Sequence, residues 1–190
     1  MKKASLLFVV VASVLVLALP ACKKKDHHMS TMTLYDSLGG TTMVHDPASM
    51  DSKVMIEQGR LGIRSVIDST IFVIAGDSKI NHYFNVLLAE VTAGDLSGFQ
   101  QLSMNLTDFF AVATGAKDYK YTGLNMIVAH NPGQDTTIEN PRISEKVNSM
   151  DFDQFINDVG IGATKVGLPS YLIARLAAVA ETQKSLVVQR

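Results

Sequence analysis

Along most of this 190-residue chain, apolar side chains recur at steps of three and four, while the strict alternation of a half-buried strand is scarce; that spacing confines the chain to helices. From residue 52 to residue 75, Val54, Met55, Ile56, Leu61, Ile63, Val66, Ile67, Phe72 and Ile74 recur with helical spacing between charged residues, which predicts one long helix. Its end, Thr70-Ile71-Phe72-Val73-Ile74, would pass for a strand in isolation, but Gly76-Asp77 stops it only after a long periodic run. A second helix starts near Asp95 or Ser97, either a suitable cap, and sets Phe99, Leu102, Leu106, Phe109 and Ala113 on one core-facing stripe until Gly115.

Residues 124–130 read as about two helical turns, closed by Asn131-Pro132-Gly133, through which no helix continues. Residues 134–149 lack a period and read as a loop. Ser149 is then expected to cap a helix carrying Phe152, Phe155, Ile156 and Val159, with Gly160 and Gly162 weakening its second half. Gly167-Leu168-Pro169-Ser170 separates it from a final helix with Leu172, Ile173, Leu176, Val179 and Ala180 inward. The expected class is all-α.

The N-terminus sets a boundary on that fold. Lys2 and Lys3 precede an apolar run over residues 6–19, shorter than the roughly 20 residues a spanning helix needs, and the run ends in Leu19-Pro20-Ala21-Cys22. This resembles the lipobox of bacterial lipoproteins, which implies a signal peptide over residues 1–21 and a lipid-modified Cys22 as the mature start, anchored to a membrane of the cell envelope. An ordinary signal peptide with an incidental cysteine, or an uncleaved anchor, are the competing readings. Lys23, directly after Cys22, argues against inner-membrane retention. Residues 22–33 read as the lipidated cysteine and a polar tether; His27 and His28 within it could bind a metal, though a solvated linker explains them. Residues 34–190 form the expected domain.

Composition removes several function classes. Cys22 is the only cysteine, so no intramolecular disulfide can staple the domain, and its stability must come from its core. Removing Lys2 and Lys3 takes the formal charge from −1 to −3, which leaves no basic field for nucleic acid. The sequence contains no His-Glu-x-x-His, no phosphate loop and no Gly-x-Ser-x-Gly. Asp151 and Asp153 sit where carboxylates complement a helix dipole. Among five histidines, His130 alone ends an apolar turn, with Met126 four residues earlier on the same face. A neutral imidazole is a natural axial ligand for haem iron, and an apolar macrocycle needs a slot of Phe, Leu and Met. A helix-terminal histidine placed against the dipole is the other reading of the same residue.

An ordered set of motifs bears on that choice. Leu34-Tyr35-Asp36-Ser37-Leu38-Gly39-Gly40, then Tyr83-Phe84, Phe109-Phe110, Tyr121-Thr122-Gly123 with Met126 and His130, and Gly167-Leu168-Pro169-Ser170 follow one another across residues 34–176. In that order they resemble group I truncated haemoglobins. The resemblance implies a truncated globin-like two-on-two helical sandwich around haem b, with His130 as the proximal iron ligand, Phe84 against the haem face, Leu102 and Leu106 on the distal helix, and Met126 beneath the ring. Each also reads as plain core, Phe109 and Phe110 most of all.

Where many members carry a tyrosine and a glutamine that donate to bound oxygen, this chain has Ile71 and Leu106. The implied distal pocket is apolar, and losing such a donor removes about 1 to 3 kcal/mol from a polar ligand. Gln101, Asn105 or a water would have to compensate. Residues 41–60, 85–96 and 131–150 look expanded relative to the family. His82, beside Phe84, is a possible second ligand, though a solvent-facing place suits it better. The function implied is reversible binding of oxygen or another diatomic gas at pentacoordinate iron. A nitric oxide dioxygenase or peroxidase would need an electron donor, for which the chain carries no flavin or nicotinamide motif. A haem-trafficking lipoprotein and a haem-free interaction module are the alternatives.

Overall fold

The computed structural model describes residues 32–190; the leader, Cys22 and the tether with His27 and His28 lie outside the described residues. The domain begins with a reciprocal cap. Thr33 Oγ1 accepts the Asp36 backbone N–H at 3.0 Å and Asp36 Oδ2 accepts that of Thr33 at 3.3 Å, which starts the one-turn helix α1, Leu34–Ser37. A hairpin follows, β1 (Met43–His45) antiparallel to β2 (Met55–Glu57), with Val44 opposite Ile56.

The long helix expected from residue 52 therefore begins only at Gln58, as α2, Gln58–Gly76. Val54, Met55 and Ile56 were assigned to it by spacing alone. Pairing with a strand ten residues upstream wins instead, because it buries Ile56 and Glu57 and gives the backbone a ladder. Tyr35, 1 % exposed, donates its phenolic hydrogen to the Glu57 carboxylate and clasps α1 to the start of α2. Arg64 grips Asp46 with two bonds, at 2.6 and 3.2 Å, and ties the hairpin to the same helix.

Four helices make the body. They are α2, α4 (Ser97–Thr114), α6 (Ser149–Lys165) and α7 (Ser170–Glu181), while α3 (Asn85–Thr92) and the single turn α5 (Met126–Ala129) lie between them in sequence. Helix α2 packs on α4 and on α6, α6 packs on α7, and α7 returns to α4, a two-on-two helical sandwich. The strand-like run in α2 is helical, because Val66, Ile67, Thr70, Ile71 and Ile74 fall at steps of three and four and are all buried. Burying each large apolar side chain contributes about 1.5 to 3 kcal/mol, enough to override β-branched propensity. Helix α6 runs unbroken through Gly160 and Gly162 to Lys165. A Cβ at Gly162 would lie 2.4 Å from Thr70 Oγ1 and 2.7 Å from its backbone nitrogen, so its absence lets α6 and α2 touch. Helix α4 stops where expected, at Gly115 in the left-handed region.

Three cap and boundary expectations are corrected. Helix α4 has Leu96 at its N-cap; Asp95 Oδ1 accepts the Ser97 N–H just outside it. Asn148, not Ser149, caps α6. The two turns expected over residues 124–130 shrink to one, Met126–Ala129, because Asn125 caps it by accepting the Val128 N–H at 3.0 Å. A final short helix, α8 (Lys184–Val187), had no periodic signal.

Candidate functional site

Two apolar clusters organise the interior. The first joins Leu34, Ile63, Ile67, Ile71, Phe110 and Val159, among others, across the four-helix body. The second joins Ile74, Ile80, Tyr83, Ile143, Val147, Phe152 and Val187, most of it contributed by short segments. Phe155 and Ile156 of α6 pack against both.

The residues expected at the site divide between these clusters. Phe84 and Met126 are half-buried and pack against the second. Leu102 and Leu106 are half-buried on the first, beside Phe99 and Phe109. Ile71 is deeper, 6 % exposed within the first cluster. The core stripe expected for α4 is found in part, since Phe99, Leu102, Leu106 and Phe109 pack against the first cluster. Ser103, Thr107, Phe110, Ala111 and Thr114 are the residues buried against the body, Phe99, Leu102, Leu106 and Phe109 are only partly covered, and Ala113 is exposed. Small and hydroxylated residues allow α4 to lie close on α2, where Ser103 also donates to Asp68; the bulky stripe is rotated aside.

His130 follows α5 as its C-cap and is half-buried. A one-turn helix leaves its carbonyls without intrahelical partners, and side chains supply them. His130 Nδ1 lies 2.8 Å from the Met126 carbonyl, Gln189 Nε2 donates to that of Ile127 at 2.8 Å, and Asn140 Nδ2 to that of Ala129 at 2.8 Å. A carbonyl only accepts, so Nδ1 carries the hydrogen and Nε2 keeps its lone pair. Among the described residues Nε2 has no hydrogen-bond partner. Burial holds the imidazole below its ordinary pKa, against the opposing effect of the Met126 bond, so the ring is neutral at physiological pH. A neutral ring on the Met126 carbonyl serves the helix end as a cap by hydrogen bonding rather than by charge, and it leaves Nε2 as a lone-pair nitrogen.

The approach to α5 is also tied. Tyr121 meets Phe109 edge-on at 5.8 Å and donates to the Leu124 carbonyl at 2.5 Å, which fastens the connection to α4. The loop after His130 folds back, with the Asn140 N–H donating to the Asn131 carbonyl at 2.7 Å and Asn131 Nδ2 to that of Ile138 at 3.0 Å. His82 is engaged elsewhere: its Nε2 lies 3.1 Å from Glu145 and its ring stacks on Tyr83 at 4.3 Å. Gln101 is exposed and Asn105 half-buried. Phe155 and Ile156 were legible only as core positions of a helix; nothing in their spacing marks contact with both clusters.

Three solved structures of truncated haemoglobin from Tetrahymena pyriformis, single-residue variants in the Fe(III) form, superpose on this chain with a TM-score of 0.55 and 17 % identity. Each match covers 83 % of this chain and 99 % of the other. The chain has the truncated globin fold. No family model matches the sequence, and no curated protein matches it either. The three segments expected to be expanded, residues 41–60, 85–96 and 131–150, hold the hairpin, α3 and the loop after α5, and the last carries Asn140, which donates to the Ala129 carbonyl.

The donor set fits haem. A neutral histidine oriented by a backbone carbonyl is the second-shell arrangement that haem and metal ligands use. Met126 and Phe84 lie partly covered against the second cluster, and Leu102 and Leu106 against the first, side chains of the kind that an apolar macrocycle requires.

Proposed function

We propose that this chain is a haem-binding globin of the group I truncated type that takes haem b through His130 and binds a diatomic gas. The observation carrying this reading is the His130 ring: neutral, with Nδ1 committed to the Met126 carbonyl and Nε2 without a partner among the described residues. His130 would hold haem b through Nε2, and the bound haem would supply an iron able to take a small gas. The protein's part is to hold Nε2 in a single orientation and to keep water away. Met126 and Phe84 do so from the second cluster, and Leu102 and Leu106 from the first, with Ile71 packed beneath them. None of these side chains donates a hydrogen bond, so they recognise a ligand by size and apolarity.

A haemin titration of the full-length chain tests the reading, followed by reduction under carbon monoxide. A stoichiometric Soret band that shifts with carbon monoxide and is lost or displaced in His130→Ala is the expected result. An unchanged band in His130→Ala would overturn the ligand assignment, and no saturable binding would leave a haem-free interaction module.

The envelope location is part of the same proposal. Its support is the order of charged, apolar and small residues before Cys22. Incorporation of a labelled fatty acid into the native chain but not into Cys22→Ser is expected; equal labelling of both would refute the anchor.

A further inference from the structure

At the end of α2 the structure holds two carboxyls that face each other and have too few hydrogens between them. Asp77 caps α2, and its Oδ1 accepts the Lys79 backbone N–H at 2.9 Å. Asp158 of α6, 1 % exposed, accepts Gln154 Nε2 on Oδ1 at 3.1 Å. The Oδ2 of each residue is closed to solvent and has no donor among the described residues. Both line one groove with Phe72, Val73, Gly76 and Gln154. The charged neighbours do not supply the missing donor. Lys79 Nζ sits on Gln154 Oε1 at 3.0 Å, and Lys165 lines the groove without bonding either Oδ2. No group of three metal-ligating side chains occurs among the described residues, and a hydrated cation cannot reach oxygens with no accessible surface.

A proton can. We propose that Asp77 and Asp158 share one proton, the acid of one donating to the carboxylate of the other, and that this bond is a pH-sensitive latch between α2 and α6. One hydrogen satisfies both orphaned oxygens, whereas two charges there would repel each other in a desolvated setting. Burial, with the neighbouring Asp77 charge adding to it, raises the Asp158 pKa, which agrees with the geometry. The folded chain therefore holds a proton that the unfolded chain releases near 3.8. Stability conferred by the latch is present at low pH and declines as pH rises through the folded pKa of Asp158. The chain continues from Asp77 into Ile80, Tyr83 and Phe84, so opening the latch frees the segment that feeds the second cluster.

The test uses the full-length chain, native and as Asp158→Asn and Asp77→Asn, in thermal unfolding from about pH 4 to about pH 9. Asp158→Asn, whose amide donates as the protonated acid does, is expected to raise Tm by about 3 °C at mildly alkaline pH and to flatten the decline. A variant less stable than the native chain at every pH, with the native slope retained, overturns the latch. Infrared spectra supply a readout independent of stability. A protonated-carboxyl stretch at about pH 5, where an ordinary aspartate is ionised, is expected in the native chain and lost in both variants; its absence from the native chain also overturns the proposal.

Discussion

The two apolar clusters are built by different means. The first rests on long helices whose buried residues, Ile63, Ile67, Phe110 and Val159 among them, interlock along the α2 contacts with α4 and α6. The second draws on a turn, a loop and the chain end, and polar side chains hold its parts: Asn140 and Gln189 on α5 carbonyls, and Tyr83 on Asp151, itself beside Arg190. Hydrophobic burial is large and tolerant of direction, so it fixes the body; hydrogen bonds are weaker and directional, so they aim His130. On the proposed reading, most of the stability comes from the body and the orientation of His130 from the second region, although the body also lends Ile71, Leu102 and Leu106 to the site.

Paired substitutions break that division if it is wrong. Phe110→Ala, at a residue 1 % exposed, is expected to cost about 3 to 5 kcal/mol in urea unfolding while the folded fraction keeps its haem affinity. Asn140→Ala is expected to cost only about 1 kcal/mol but to weaken haem binding, because the Ala129 carbonyl loses its donor and the His130 turn its anchor. The reverse pattern, with Phe110 governing affinity and Asn140 governing stability, would show that the clusters do not divide the labour.

The same contrast explains what could be read from the chain alone. Helices α2, α4, α6 and α7 were legible because their apolar spacing is local and long, even through Thr70–Ile74. The hairpin was not, since Met55–Glu57 becomes a strand only by meeting Met43–His45 across a turn. The α4 stripe was legible as apolar but not in its depth: hydropathy marks Phe99, Leu102, Leu106 and Phe109 as leaving water, while close packing on α2 requires the smaller Ser103, Thr107 and Ala111. His130 was singled out by its place at the end of an apolar turn. The partners that set its tautomer and orientation lie close in sequence only for Met126; Asn140 and Gln189 arrive from a loop without period and from the chain end.

The smallest expected effect is a difference in the sign of two pH slopes. Asp158, at the α2–α6 junction, makes the fold less stable as pH rises above about 3.8. His130 acts in the opposite sense. Burial keeps its folded pKa below the ordinary 6.5, so the unfolded chain takes up a proton that the folded ring refuses, and stability falls as pH drops below about 6.5 until the folded value is reached. Urea midpoints of native chain, Asp158→Asn and His130→Phe across that interval separate the two. Asp158→Asn should expose an uncompensated acid-side loss, and His130→Phe should remove it. Saturating haemin should deepen the loss in the native chain, because an imidazole that donates to a metal through Nε2 cannot also take up a proton there. If haemin leaves the acid slope of the native chain unaltered while still binding, the metal is held by a group other than His130.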